Sequence, residues 1–80
     1  MTLQTYWRIT ADCTKHTRCR CVYNGSEIYA DVYCLLSRKE KDMEIRMACY
    51  NSRRDTLTVY ATDTGMMKYV WSVENERQKR

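Results

Sequence analysis

Residues 18–32 read RCRCVYNGSEIYADV, and the Asn24-Gly25 pair at their centre is the strongest local signal in the chain. Asn-Gly takes up the positive φ angles of a type I′ turn at small steric cost, so it joins two strands through a two-residue loop. With Tyr23 opposite Ser26, Cys21 then faces Ile28 and Cys19 faces Ala30 on one side of the hairpin. Arg20 faces Tyr29 and Arg18 faces Asp31 on the other. One face is small and apolar, the other polar and aromatic.

The same pairing test extends along the chain. Residues 27–36 and 43–50 flank the polar stretch 37–42, and as a second hairpin they set Leu36 against Met43, Cys34 against Ile45, Val32 against Met47 and Ala30 against Cys49. A third hairpin through 51–55 sets Cys49 against Leu57, Met47 against Val59 and Ile45 against Ala61. A fourth, through Asp63, Thr64 and Gly65, uses glycine at the left-handed position of a three-residue loop and sets Ala61 against Met67, Val59 against Tyr69 and Leu57 against Trp71. Residues 5–11 alternate as well, with Trp7, Ile9 and Ala11 on one side, and the connection 12–15 leaves their register open.

These registers give an all-β chain, a small antiparallel meander of five to six strands. It closes as a barrel if the first strand pairs with the sixth. A helix also fits part of the chain: Ser37 and Glu40 form a capping box, and Met43, Met47 and Tyr50 lie at helical spacing, which gives an α+β alternative with a helix around residues 38–50.

Eighty residues suffice for one hydrophobic core, here residues 1–74, with 75–80 as a flexible basic C-terminal tail that carries no apolar side chain. The 44% hydrophobic and 30% charged residues are the balance of a folding chain rather than a disordered one. No apolar run reaches membrane-span length and the start lacks the order of a signal peptide, so a cytoplasmic location without membrane contact is expected. The five cysteines are an odd number and suit a reducing compartment, where Asn24, Gly25 and Ser26 serve as a turn and not as a glycan acceptor.

Enzyme templates find no footing. There is one histidine, His16, with no glycine-rich phosphate loop, no GxSxG elbow and no HExxH helix. Glu27, Asp31 and Glu44 fall beside Arg or Tyr on the outward face, as cross-strand charge pairs do. No catalytic residue and no cofactor is therefore expected. Cys13, His16, Cys19 and Cys21 are the right types for a zinc site, which leaves a small zinc-stabilised domain as an alternative, but they are not at the usual spacing of paired knuckles, and Cys19 and Cys21 alternate inward as small hydrophobes, so no metal is expected. Cys34 and Cys49 alternate inward too, as core thiols.

The outward face is where function is expected. One row across the meander reads Arg20, Tyr29, Tyr50, Thr56, Ser72, and another His16, Tyr33, Arg46, Tyr60, Lys68, with Arg18, Asp31, Ala48, Thr58 and Val70 between them. Tyr and Arg are favoured at binding hot spots, so Arg20, Tyr29, Tyr33, Arg46, Tyr50, Tyr60 and Lys68 are the expected partner-binding residues. In size and lack of motifs the chain resembles the accessory proteins of phages and mobile elements. That sets the expectation of a non-catalytic protein docked on a host macromolecular complex, such as a nucleic-acid-processing or CRISPR-type defence assembly. Single-stranded nucleic acid stacked on the tyrosines is the alternative, on a net charge of only +4. A homodimer pressed together through Ala48, Thr58 and Val70 is a further option.

Overall fold

A computed structural model describes residues 1–10 and 13–78. The element order is α1 (Leu3–Ile9), β1 (Arg18–Tyr23), β2 (Ser26–Val32), a 3-10 turn (Tyr33–Leu35), α2 (Arg38–Lys41), β3 (Ile45–Asn51), β4 (Thr56–Ala61) and α3 (Asp63–Gln78). The strands form one open, mixed sheet in the order β2-β1-β4-β3, with β1 and β4 parallel at its centre. The class is α+β, which overturns the expected all-β meander and its barrel.

The central hairpin forms as its sequence dictates. Asn24 and Gly25 have φ of 50° and 79°, and Tyr23 pairs with Ser26. Beyond the turn a bulge between Cys21 and Val22 shifts the register, so Cys21 pairs with Tyr29 and Cys19 with Asp31, not with Ile28 and Ala30. A bulge adds one unpaired residue and so exchanges the two faces of the strand past it. Tyr29 thereby moves to the side of the buried Cys21.

The second hairpin does not exist. After β2 the chain makes the 3-10 turn, and Ser37 caps α2: its hydroxyl accepts from the Glu40 N–H at 3.3 Å while the Glu40 carboxylate accepts from the Ser37 N–H at 2.8 Å. The capping box is thus real, but its helix ends at Lys41 and does not continue to residue 50. Met43 and Ile45, both buried, alternate as a strand, and the N-terminal residues hold this segment through Leu3 N–H to Met43 O at 2.9 Å and Ile45 N–H to Met1 O at 2.7 Å. The segment crosses the sheet, and β3 pairs with β4 on the far edge.

The β3–β4 hairpin keeps the expected Ile45–Ala61 pair. A bulge between Ile45 and Met47 then sets Met47 against Tyr60 and Cys49 against Thr58, so Ala48 and Tyr50 turn inward where Met47 and Cys49 were expected. No fourth hairpin follows. The Thr62 hydroxyl accepts from the Gly65 N–H at 2.9 Å, and α3 runs on with Met66 and Tyr69 packed on the core. Of the expected tail, residues up to Gln78 belong to α3, and 79–80 lie outside the described residues.

The expected first strand is α1 instead. Thr2 caps it by accepting the Thr5 N–H at 3.2 Å, and Leu3, Tyr6 and Trp7 share one helical face against the core. Ala11 of that expected strand lies outside the described residues.

The core lies between one face of the sheet and the helices. Cys19, Cys21, Leu57 and Val59 are fully buried on the two central strands, and Leu3, Tyr33, Leu36 and Met43 close over them. The parallel β1–β4 pair is central because both strands are apolar on that face from end to end. The opposite face is left to solvent: Arg18, Arg20, Met47, Cys49 and Asn51 are all exposed.

Candidate functional site

The uncovered face is built from four strands in three rows. Across the sheet they read Val32, Arg18, Thr56, Asn51; then Ala30, Arg20, Thr58, Cys49; then Glu27, Val22, Tyr60, Met47. Its floor is small side chains, with Ala30, Thr56 and Thr58 next to the two arginines of β1 and Cys49 beyond Thr58. Val22 is buried here, outside the main core cluster, in the row of Tyr60.

Arg18, Arg20, Asn51, Arg54, Thr56 and Thr58 line one cleft of about 540 Å3 on this face. Among the described residues no carboxylate lines it. Arg20 donates from Nε to the Glu27 carboxylate at 2.8 Å, while Arg18 and Arg54 have no ion-pair partner among the described residues. Asn51 accepts the N–H groups of Arg53 at 3.0 Å and Arg54 at 3.4 Å through Oδ1, which fixes the loop that presents Arg54. A side-chain amide with its oxygen so engaged has its NH2 left as a donor. Guanidinium and amide donors therefore converge beside the Thr58 hydroxyl, while the Thr56 hydroxyl is spent on the Arg54 carbonyl at 3.0 Å, and the net excess of cationic donors suits an anion.

A second cleft, of about 570 Å3, adjoins at the other end of the central strands. Val22, Tyr60 and Arg46 line it with the Asn24-Gly25 turn and Asp63. Arg46 and Tyr60 are brought together there as expected, and Arg20 shares the uncovered face with Tyr60.

The other expected partner-binding residues are elsewhere. Tyr33 is buried and stacks on Trp7 with ring centroids 4.0 Å apart and parallel planes. Tyr29 donates to the Glu40 carbonyl at 2.7 Å and lies 5.8 Å from the Tyr69 ring, and burial pushes its hydroxyl pKa up. Tyr50 donates to Asp55 at 2.6 Å on the covered side, and Lys68 is exposed on α3. The four-tyrosine platform is thus taken apart by the two bulges and by the loss of the second hairpin. The dimer row falls apart for the same reason, with Ala48 turned to the core, Thr58 on the uncovered face and Val70 on α3.

The residues of the zinc alternative do not converge. Cys19 and Cys21 sit on the core face of β1, Cys13 is half-buried and His16 lies exposed in the turn before β1. Among the described residues no three His, Cys, Asp or Glu side chains are grouped to hold a metal ion. Burial pushes the Cys19 thiol up to about 12, helped by neighbouring Cys13 and Asp55, and burial raises Cys21 too. Both stay protonated at neutral pH and are poor nucleophiles. Cys34 and Cys49 are exposed rather than core, which corrects their expected burial.

Sequence reasoning gave Arg54 at most a place at the rim of the face, and it missed Asn51 and the uncovered character of Met47. The Asn51-Ser52-Arg53-Arg54 loop reads as a solvated charge run, and only the fold places its last arginine over Thr56 and Thr58. Asp55 ends this loop at φ 46° and accepts from the hydroxyls of Tyr50 and of buried Thr17, the latter at 2.9 Å. Those two hydrogen bonds, Tyr50 foremost, hold the Asp55 carboxyl below its ordinary range.

A separate apolar stripe lies on α3, where Met67 is 73% and Trp71 67% exposed beside Val70. No helix of the described residues is long and apolar enough to cross a membrane. Comparison with known family models, curated proteins and solved structures finds no match.

Proposed function

We propose that this chain is a non-catalytic docking protein that seats an anionic macromolecular partner on the uncovered face of its sheet. The observation that carries this reading is the cleft lined by Arg18, Arg20 and Arg54, of which only Arg20, through Glu27, has a carboxylate partner among the described residues. Arg18 and Arg54 are like charges brought together without an ion-pair partner among the described residues, which costs free energy through mutual repulsion, and an anion from outside relieves it. The lining also favours docking over catalysis, since the described residues that wall the cleft are Arg, Thr and Asn, with no carboxylate, imidazole or thiol among them. The buried thiols are held protonated and Asp55 is committed to two hydroxyls, so neither is poised for proton transfer.

The experiment is retention on immobilised heparin and on polyglutamate, compared with the doubly reversed variant Arg18→Glu with Arg54→Glu. Wild-type protein should be retained on at least one polyanion, and the variant should pass through with an unchanged thermal midpoint. Equal retention of the two proteins would contradict the assignment of the site.

A further inference from the structure

Docking on a polyanion leaves its class open, and the geometry of the face narrows it. Arg18 and Arg20 are two residues apart on one strand, so their Cα atoms are separated by about 6.6–6.8 Å. Beside them, in the parallel register, run Thr56, Thr58 and Tyr60 at the same interval. Cations and hydroxyls thus repeat in a line along β1 and β4, and the line ends at an aromatic ring. Arg46 stands beyond the ring, across the adjoining cleft. Ala30 and Cys49 flank the middle row of the track with small side chains, and Glu27 and Met47 flank its Tyr60 row, Glu27 as the ion-pair partner of Arg20.

A folded acidic protein presents carboxylates at scattered positions and heights. A single strand of nucleic acid presents one phosphate per repeat unit, at a spacing comparable to the Arg18–Arg20 interval, and its bases stack on aromatic side chains. Arg, Thr, Asn and Tyr are also side chains that serve phosphate and sugar contacts. Resting on the docking reading above, we infer that the partner is a single strand of nucleic acid laid along β1 and β4, with phosphates on Arg18, Arg20 and Arg54 and a base on Tyr60. Phosphate contacts and base stacking carry no base pattern, so binding through them is tolerant of sequence.

The test is fluorescence anisotropy with labelled ten-nucleotide oligothymidylate and oligouridylate strands over a range of salt concentrations, with fluorescent polyglutamate as the comparison. Wild-type protein should bind the strands, with affinity falling linearly in log–log form by about 0.7 per phosphate contact. The variant Arg18→Gln with Arg54→Gln should flatten that slope by about 1.4, two contacts' worth. Tyr60→Ala should weaken binding at least about fivefold, the loss of one stacked base, while leaving the salt slope in place. Binding of polyglutamate but not of the strands overturns this inference and leaves the docking reading intact. Binding of neither overturns this inference, and with no retention on heparin it overturns the docking reading as well. Strand binding with an unaltered slope in the arginine variant and no loss in Tyr60→Ala overturns the placement of the track.

Discussion

Gly65 in the first turn of α3 lies directly against the backbone of Glu44, so that a Cβ at residue 65 would stand 2.5 Å from the Glu44 carbonyl oxygen. This contact locks the start of the last helix to the start of β3. Two effects oppose each other in Gly65→Ala. Helix propensity favours alanine by about 1 kcal/mol. Overpacking against a backbone atom costs typically ~1–3 kcal/mol, because carbonyl and helix must move apart. The clash should win, and the thermal midpoint of the variant should fall; a rise would mean that α3 docks less closely than this contact requires.

Tyr33 and Tyr60 were expected on one binding row, and the fold separates them into core and surface. Removal of a well-buried aromatic ring costs about 3–5 kcal/mol. Tyr33→Ala also strips the stacking partner from Trp7, so it should unfold at much lower denaturant concentration than wild type. Tyr60→Ala, on the half-exposed face, should shift the midpoint far less. Similar losses for the two would put Tyr60 in the core.

The capping box of α2 is an independent check on the crossover segment. Ser37→Ala removes the hydroxyl that accepts from Glu40, at a typical cost of about 1 kcal/mol. Glu40 also holds Tyr29 through its carbonyl, so amide exchange in β2 should speed up along with that in α2. Unchanged exchange in β2 would show that the helix end and the strand are not coupled.

Acid stability should depend on Asp55. Its folded carboxyl titrates below the ordinary 3.8 because the Tyr50 and Thr17 hydroxyls donate to it. The unfolded chain therefore takes up the proton first as pH falls. The stabilisation is complete above the ordinary carboxylate range and is lost as pH drops through the depressed folded value. A series of thermal midpoints from pH 6 to 2 should fall less steeply in Asp55→Asn than in wild type over the acid end. Parallel curves would mean that the two hydroxyls do not favour the charged form.

How much of this was legible varied with the range of the interaction. The Asn24-Gly25 turn, the Ser37–Glu40 cap, and the outward Arg18, Arg20, Thr56, Thr58 and Tyr60 are local features of turn chemistry and alternation, and they hold. The two bulges leave no mark in composition, yet each exchanges the faces of an edge strand, taking Tyr29 and Tyr50 inward and Met47 outward. In α3, Met67, Tyr69 and Trp71 alternate as a strand would, while Met66 and Tyr69 also suit a helix started by Thr62, and apolar residues this dense satisfy both periods. The parallel pairing of β1 with β4 is made between residues about 38 apart with no turn to announce it. The arginine cleft depends on that pairing, which is why half of it was visible as outward arginines and Arg54 only as a charge at the rim.

The chain carries its own reporter for the central claim. Cys49 is exposed in the middle row of the uncovered face, and Cys34 is exposed outside the strands of that face, at the turn after β2. The most direct measurement is the rate of alkylation at each of the two thiols, site by site, with and without saturating heparin. If the uncovered face seats the partner, heparin should slow Cys49 severalfold and leave Cys34 unchanged. Equal rates at Cys49 with and without heparin, or protection of Cys34 instead, would contradict the account.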